Sequence, residues 1–345
     1  MVRAPGLRAE QLAFQAKTQM DRVIYVMPKS RYDLLARANT VIRSVNAHPD
    51  FLVLHDDKID IFFERIERSA IVFTQLEMVP IFRQALKKHF VIYDVLAPRA
   101  LEFIHAGASE EKIKQTETLH VECLTSADRV FVNGPKTMEL FSEELSALKS
   151  VCLNPFTPLP AKNDHKAPTR ENILFFSGGQ KWTNNAPFLK AMAEVLEHQP
   201  EQQAFLMSPH KHHEDPESVG LSRLLQLPNV RRVTGLSYPA HLALLKSCYG
   251  VMDWSVVNEE RTYSTSTRLI QSVSVGTPIF ANAQTGLDRI WAPFPGMTSQ
   301  NEPDPEQLMT FISAAKKGQF DTALQYAKTK AAEILNDPSL FGDIS

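Results

Sequence analysis

Residues 253–282 read DWSVVNEERTYSTSTRLIQSVSVGTPIFAN. The run Val251 to Val256 leads in with the apolar, β-branched character of a buried strand. A polar loop with two acids, Glu259 and Glu260, follows it. Then come Ser264, Thr265, Ser266 and Thr267, whose hydroxyls suit the start of a helix. That helix is expected to run Arg268 to Val275 and to stop at Gly276. TPIFAN, 277–282, then reads as the next strand. A strand, a helix and a strand in immediate succession form the crossover unit of a parallel sheet.

Similar units extend in both directions. The first half holds VIYVM (23–27), FLVLH (51–55), AIVFTQL (70–76), FVIYDVL (90–96), RVFVN (129–133) and SVCL (150–153). The second half holds NILFFSG (172–178), QAFLMS (203–208), VRRVTG (230–235), YGVMDWSV (249–256) and TPIFAN. Helical spacing of apolar residues lies between them, clearest over 31–45, 111–126, 187–197 and 238–248, with two closing helices over 305–315 and 321–336. The segment NPFTPLPAKNDHKAPTREN (154–172) holds four prolines and almost no large apolar residue after Leu159, so it reads as a linker. The expected fold class is therefore α/β, as two Rossmann-like domains with parallel sheets facing across a cleft. The boundaries are 1–157, a linker 158–171, 172–320 and a closing helix 321–345. Ligands of such sheets bind at the carboxyl ends of the strands.

Composition bounds the partners. The chain has 345 residues, 37 Lys+Arg against 39 Asp+Glu and a formal net charge of -2, so no global positive field attracts nucleic acid. Three scattered cysteines, Cys123, Cys152 and Cys248, fit a reducing compartment and read as buried small hydrophobes. No run approaches the roughly 20 apolar residues that cross a bilayer. The expected location is cytoplasmic, including the inner face of the membrane, because Leu7, Leu12 and Phe14 among polar residues allow a short amphipathic helix touching a membrane or a partner protein. A packed leading helix is the other reading of that stretch.

Two helix starts carry the chemistry. In FFSGGQKWTNNAPFLKAM (175–192), a buried strand ends in Ser177-Gly178-Gly179 and a helix follows shortly, so bare backbone can approach an anion and Lys181 can add a counter-charge. Neither a G-x-G-x-x-G nor a G-x-x-x-x-G-K-[ST] pattern is present, which argues against a dinucleotide dehydrogenase and a P-loop NTPase. The second start is Ser264 to Arg268, where helix N–H groups and a guanidinium together suit a diphosphate. A carboxylate just upstream can accept hydrogen bonds from sugar hydroxyls.

These pieces resemble a family. The strand, glycine loop and helix, the V-x-G of Val233 to Gly235, the Tyr-Pro helix start, the acids, S-T-R-L and the V-G-T-P-I turn are similar to the donor-binding domain of GT-B fold glycosyltransferases, the large retaining group called group 1 or family 4. The likeness spans about 172–291. FVIYDVLAPRALEF (90–103) and SADRVFVNG (126–134) resemble the acceptor-domain strands of such enzymes.

The resemblance implies a nucleotide-sugar donor whose diphosphate lies against Gly178, Gly179, Lys181, Ser264, Thr265, Ser266, Thr267 and Arg268. It places the sugar hydroxyls near Glu259 or Glu260, and Asp94 facing the reacting carbon. Gln271 stands where the family has a ribose-contacting glutamate. The sugar would move with retention, without metal or other cofactor, to a glycan, glycolipid or other glycoconjugate, in the setting of bacterial polysaccharide biosynthesis. A catalytically inactive binding scaffold, or a sugar isomerase or phosphorylase of the same fold, are the alternatives, because Gln271 replaces a glutamate and the acids lie 12 and 11 residues before it.

Other candidates rank below these. SPHKHHEDP (208–216) brings His210, His212, His213, Glu214 and Asp215 together in what reads as a solvated loop. His105 and His120 fall on helices and read as packed or surface residues. Trp182, Trp254 and Trp291 can stack on a base, with Trp254 read as core. Ser264 lacks a nucleophile elbow.

Overall fold

The computed structural model describes residues 3–37, 50–146, 151–159, 169–177, 185–207, 219–287, 290–292 and 296–341. The chain folds as two units, Met1–Lys162 with Tyr263–Thr265 and Ala331–Ser345, and Asn163–Thr262 with Ser266–Lys330.

In the first unit, each apolar run of the first half forms a strand: β1 (Val23–Pro28), β2 (Asp50–Leu54), β3 (Ala70–Phe73), β4 (Phe90–Val95), β5 (Arg129–Val132) and β6 (Val151–Leu153). They pair in parallel in the order β2-β1-β3-β4-β5-β6. Between them run α1 (Arg3–Ala16), α2 (Lys29–Arg37), α3 (Ile59–Arg65), α4 (Val79–Ala85), α5 (Arg99–His105), α6 (Glu110–Ser126), α7 (Pro135–Leu140) and α8 (Ser142–Ser146). The helix expected over 31–45 is seen as α2; residues 38–49 lie outside the described residues. Ser109 caps α6 by accepting from the Lys112 N–H at 3.3 Å, as its position before Glu110 and Glu111 favours.

Helix α1 buries its apolar residues in the first core, with Leu12, Ala13 and Ala16 packed among the residues of β1, β3 and β4. Of the two readings of this stretch, the packed leading helix is the one seen: Leu7 and Leu12 are buried and Phe14 is half-buried within the unit. Its Arg8, Glu10, Gln11 and Gln15 are buried too. The guanidinium of Arg8 donates to Asp94 Oδ1 from Nε at 2.8 Å and from Nη2 at 2.7 Å. Its remaining donors reach Gln11 Oε1 and the carbonyls of Asn154 and Pro155. Both side chains of the pair are 0% exposed. Burial holds the Asp94 carboxyl above the usual carboxylate range despite the adjacent arginine.

In the second unit the order is β12-β11-β10-β7-β8-β9, again parallel. Its strands are β7 (Asn172–Phe176), β8 (Ala204–Met207), β9 (Val230–Val233), β10 (Cys248–Asp253), β11 (Ile279–Asn282) and β12 (Thr298–Ser299). The last of these, two residues long, escaped the sequence reading. Its helices are α9 (Ala186–His198), α10 (Val219–Gln226), α11 (Tyr238–Ser247), α12 (Glu259–Tyr263), α13 (Thr267–Ser274), α14 (Pro305–Lys316) and α15 (Asp321–Leu335), except that Tyr263 at the end of α12 and Ala331–Leu335 at the end of α15 belong to the first unit. Helix α9 buries Phe188, Leu189, Met192, Val195 and Leu196, each removal from water contributing about 1.5–3 kcal/mol. Gly276 ends α13 at φ +83°, a left-handed position that favours glycine.

The chain end differs from a single closing helix. Helix α15 stops at Leu335, and Leu340 and Phe341 join the first core, with the Phe341 ring 5.1 Å from that of Phe131. Cys123 and Cys248 are buried as expected, whereas Cys152 is half-buried. No helix among the described residues is long and apolar enough to cross a membrane.

Removing Arg8 alone strands a buried carboxylate. The Arg8→Met variant is expected to lose about 3–5 kcal/mol in urea unfolding, and the double variant Arg8→Met/Asp94→Leu to recover most of it. Equal losses in the two proteins would contradict the assigned ion pair.

Candidate functional site

The carboxyl ends of β7 and β10 gather the residues of interest in the second unit. Strand β10 ends at Asp253 and β7 at Phe176. Helix α13 opens after Ser266, whose backbone is extended (φ -74°, ψ 100°) as an N-cap requires. Its hydroxyl does not close back on the helix; it donates to Asp253 Oδ2 at 2.8 Å. The first-turn N–H groups of α13 therefore keep their outward direction, with no intrahelical acceptor.

Arg268 sits in that same first turn, next to the positive end of the helix dipole. A cation there is unfavourable by itself. Two contacts hold it: Arg268 Nη2 lies 3.0 Å from Asp253 Oδ2, and the guanidinium stacks 4.4 Å from the centroid of the Phe176 ring. The Asp253 carboxylate is nearly enclosed, while the Arg268 side chain keeps 32% exposure. Positive backbone dipoles and an accessible guanidinium thus converge at one strand end. The chemistry this favours is the binding of an anion with several oxygens.

One turn on, Gln271 is buried and its Oε1 is 3.1 Å from His241 Nε2 on α11. Burial lowers the His241 pKa to about 4, with the nearby Arg268 charge acting the same way against the hydrogen bond to Gln271. The imidazole is accordingly neutral near pH 7. The Oε1 of Gln271, the residue expected near a ribose, is engaged by His241.

The two acids part company. Glu259 is exposed on α12, whose first turn is closed by the Arg261 N–H donating to Asn258 Oδ1 at 2.9 Å. Glu260 is buried, paired with Arg261 at 2.6 Å from Nε and 2.8 Å from Nη2. Ser264, buried, and Thr265, half-buried, fall with Tyr263 in the first unit, where Thr137 Oγ1 donates to the Tyr263 carbonyl at 2.8 Å. Ser266, Thr267, Arg268 and Gln271 belong to the second. Asp94, expected to face the reacting carbon, is instead enclosed by Arg8, because the buried leading helix delivers a guanidinium to it.

Gly178, Gly179, Lys181 and Trp182 lie outside the described residues, as does the histidine-rich stretch 208–216. The ends of the glycine loop are fixed on either side. Ser177 N–H donates to the Met207 carbonyl at 3.2 Å, and Asn185 Nδ2 to the Phe176 carbonyl at 3.1 Å. Trp254 and Trp291 are buried. His120 is buried against Tyr93, its Nδ1 3.0 Å from the phenol oxygen, and burial lowers its pKa to about 4. Among the described residues no group of three or more His, Cys, Asp or Glu side chains is placed to hold a metal ion.

Asp253, His241, Phe176 and Asn185 had not been singled out from sequence. Asp253 had a readable signal, an acid closing a buried strand. His241 had none, since its partner lies thirty positions away.

No family model matches the chain, and neither does any curated protein sequence. Solved structures do. HepE of Anabaena in complex with UDP-glucose superposes with a TM-score of 0.60 and 14% identity, over 96% of this chain and 93% of that one. Sucrose-phosphate synthase of Thermosynechococcus elongatus gives 0.57 at 13% identity, over 92% and 96%. The chain has the GT-B fold. At these identities the likeness is one of architecture. Within that GT-B architecture, the turn at Ser266 to Arg268 occupies the carboxyl edge of the second sheet, the edge at which parallel sheets bind ligands.

The neutral state of His241 has a thermodynamic signature. An unfolded histidine protonates near pH 6.5, whereas His241 does so only near pH 4 in the folded chain. Between those values the unfolded chain binds a proton that the native one does not. Stability is therefore complete above about pH 6.5 and falls as the pH drops towards 4. Urea titrations at pH 7 and pH 5 should show wild type losing about 2 kcal/mol more than His241→Gln; equal losses would contradict a desolvated imidazole.

Proposed function

We propose that this chain transfers a sugar from a nucleotide-sugar donor to a carbohydrate-bearing acceptor. The observation that supports it is the first turn of α13, where Arg268 is retained beside a helix N-terminus by Asp253 and Phe176. A charge kept in a locally unfavourable position, with its partners fixed around it, is characteristic of a functional site. HepE was solved with UDP-glucose, and the pneumococcal O-GlcNAc transferase GtfA, at a TM-score of 0.53 and 9% identity over 80% of this chain and 56% of that one, with UDP and GlcNAc. A uridine nucleotide sugar is the donor class that these neighbours favour.

In this reading the diphosphate accepts from the N–H groups of Thr267, Arg268 and Leu269 and from the Arg268 guanidinium. Positive charge aimed at the departing diphosphate lowers the barrier to breaking its bond to the sugar. Gly178, Gly179 and Lys181 would close on the same phosphates. Glu259, which is exposed, is the better candidate of the two acids for a sugar hydroxyl, because Glu260 is committed to Arg261. With Arg268 and the helix supplying the positive charge, no metal ion is required in this scheme. A departing phosphate oxygen that takes the acceptor proton would give retention without an enzymatic base, consistent with the enclosure of Asp94.

A second reading has its own observation. Gln271 is bonded to His241 and carries no charge, so a binding scaffold without turnover fits as well at that position. The two separate on one assay: the transferase releases UDP from UDP-sugar when offered acceptor glycans, whereas the scaffold binds UDP and releases none.

Calorimetry with UDP, GDP, TDP and CMP on folded protein tests binding first. At least one nucleoside diphosphate is expected to bind, and Arg268→Ala to weaken it by about 1.5–3 kcal/mol, the contribution of a hydrogen bond to a charged group. Unchanged affinity in the variant would remove Arg268 from the site.

A further inference from the structure

The second sheet ends at β12, which pairs with β11 on one side and with no strand on the other. The Met297 carbonyl accepts from the Ala281 N–H at 3.0 Å and the Ser299 carbonyl from the Ala283 N–H at 2.9 Å. Successive residues of a strand turn their backbone groups to opposite sides, so Thr298, between these two, directs its N–H and C=O away from β11. An unpaired edge of this kind is a template for another strand.

The same residue borders a cavity of about 480 Å³, within the roughly 300–1,000 Å³ of ligand clefts. One wall is aromatic. Phe280 of β11, Phe311 of α14 and Phe320 line it, with ring centroids 5.4 Å apart for the first pair and 5.5 Å for the second. The charged groups of the lining are all carboxylates, Asp304 and Glu306, and both residues are exposed. Asp304 Oδ1 caps α14 by accepting from the Gln307 N–H at 2.8 Å, which satisfies a hydrogen bond and leaves the negative charge in place. No lysine or arginine lines the cavity.

These features select the occupant. An extended peptide matches the open backbone pair of Thr298, because strand addition supplies one N–H and one C=O at the spacing the edge presents. Two residues of strand give few such bonds, so the cavity beside them must carry the specificity. A long basic side chain suits it: the methylene stem lies on the phenylalanine wall and the cation meets the carboxylates. A second copy of this edge would instead set like charges against each other. We propose that β12 and its cavity bind an extended, basic peptide segment of a partner protein, with one Lys or Arg side chain in the cavity. This binding is independent of the sugar transfer proposed above.

Fluorescence anisotropy on the full chain, with labelled hexapeptides that alternate Val or Thr with Arg or Lys, tests this. At least one basic peptide is expected to bind saturably, and its glutamate counterpart about tenfold more weakly or worse. Methylating alternate backbone nitrogens of the peptide leaves its charge intact, and in one of the two registers it should cost about fivefold by removing the donor to Thr298. Asp304→Asn/Glu306→Gln, which keeps a capping side chain on α14, and Thr310→Trp, which fills the cavity from an exposed helix position, should each weaken binding about tenfold. Absence of binding by every basic peptide would overturn the proposal. So would binding that survives both Thr310→Trp and backbone methylation, the mark of unspecific attraction to an acidic surface, or free arginine binding as tightly as the peptides.

Discussion

A parallel sheet covered on both faces leaves its strand ends as the only places where polar side chains meet solvent without breaking the ladder. Both units obey this constraint. Their central strands are almost continuously apolar, as VIYVM, AIVF and NILFF show, and their hydrogen-bonding capacity is spent on neighbouring strands. Chemistry is thereby confined to the residues that close each strand, and Asp253 is the clearest of these. One carboxylate at the end of β10 accepts from Ser266 and pairs with Arg268, fixing both the entry of α13 and the guanidinium beside it.

The same constraint yields a different result in the first unit. Asp94 also lies near the end of a central strand, yet α1 is buried almost throughout and brings Arg8 to it. A carboxylate enclosed in this way stabilises the docking of α1 and no longer reaches outward. The edge of that sheet left open lies instead over β1, β2 and β3. There Ser30, Arg31, Asp56 and Glu77 line a cavity. The position of α1 thus decides which part of the edge remains available.

Much of the fold was legible in the sequence because burial on two faces imposes continuous apolar runs, and those runs punctuate the chain. Gly276 and the hydroxyl run before Arg268 marked α13 for local reasons, a left-handed stop and an N-cap. Strand β12 was missed because two residues carry no period. The site was less legible. Glu259 and Glu260 look alike on paper, yet Glu260 is buried and paired with Arg261 while Glu259 is exposed. The link between Gln271 and His241, like that between Asp94 and Arg8, joins residues distant in sequence. Such pairings arise from packing, to which no local spacing refers.

Sugar transfer at this strand edge requires the opening turn of α13 to grip a diphosphate. A crystal structure of the full chain with UDP bound would decide it. Phosphate oxygens are expected within hydrogen-bonding distance of the Thr267, Arg268 and Leu269 amides and of the Arg268 guanidinium, with Asp253 still holding Ser266. Nucleotide bound elsewhere, with this turn left to solvent, would contradict the central claim.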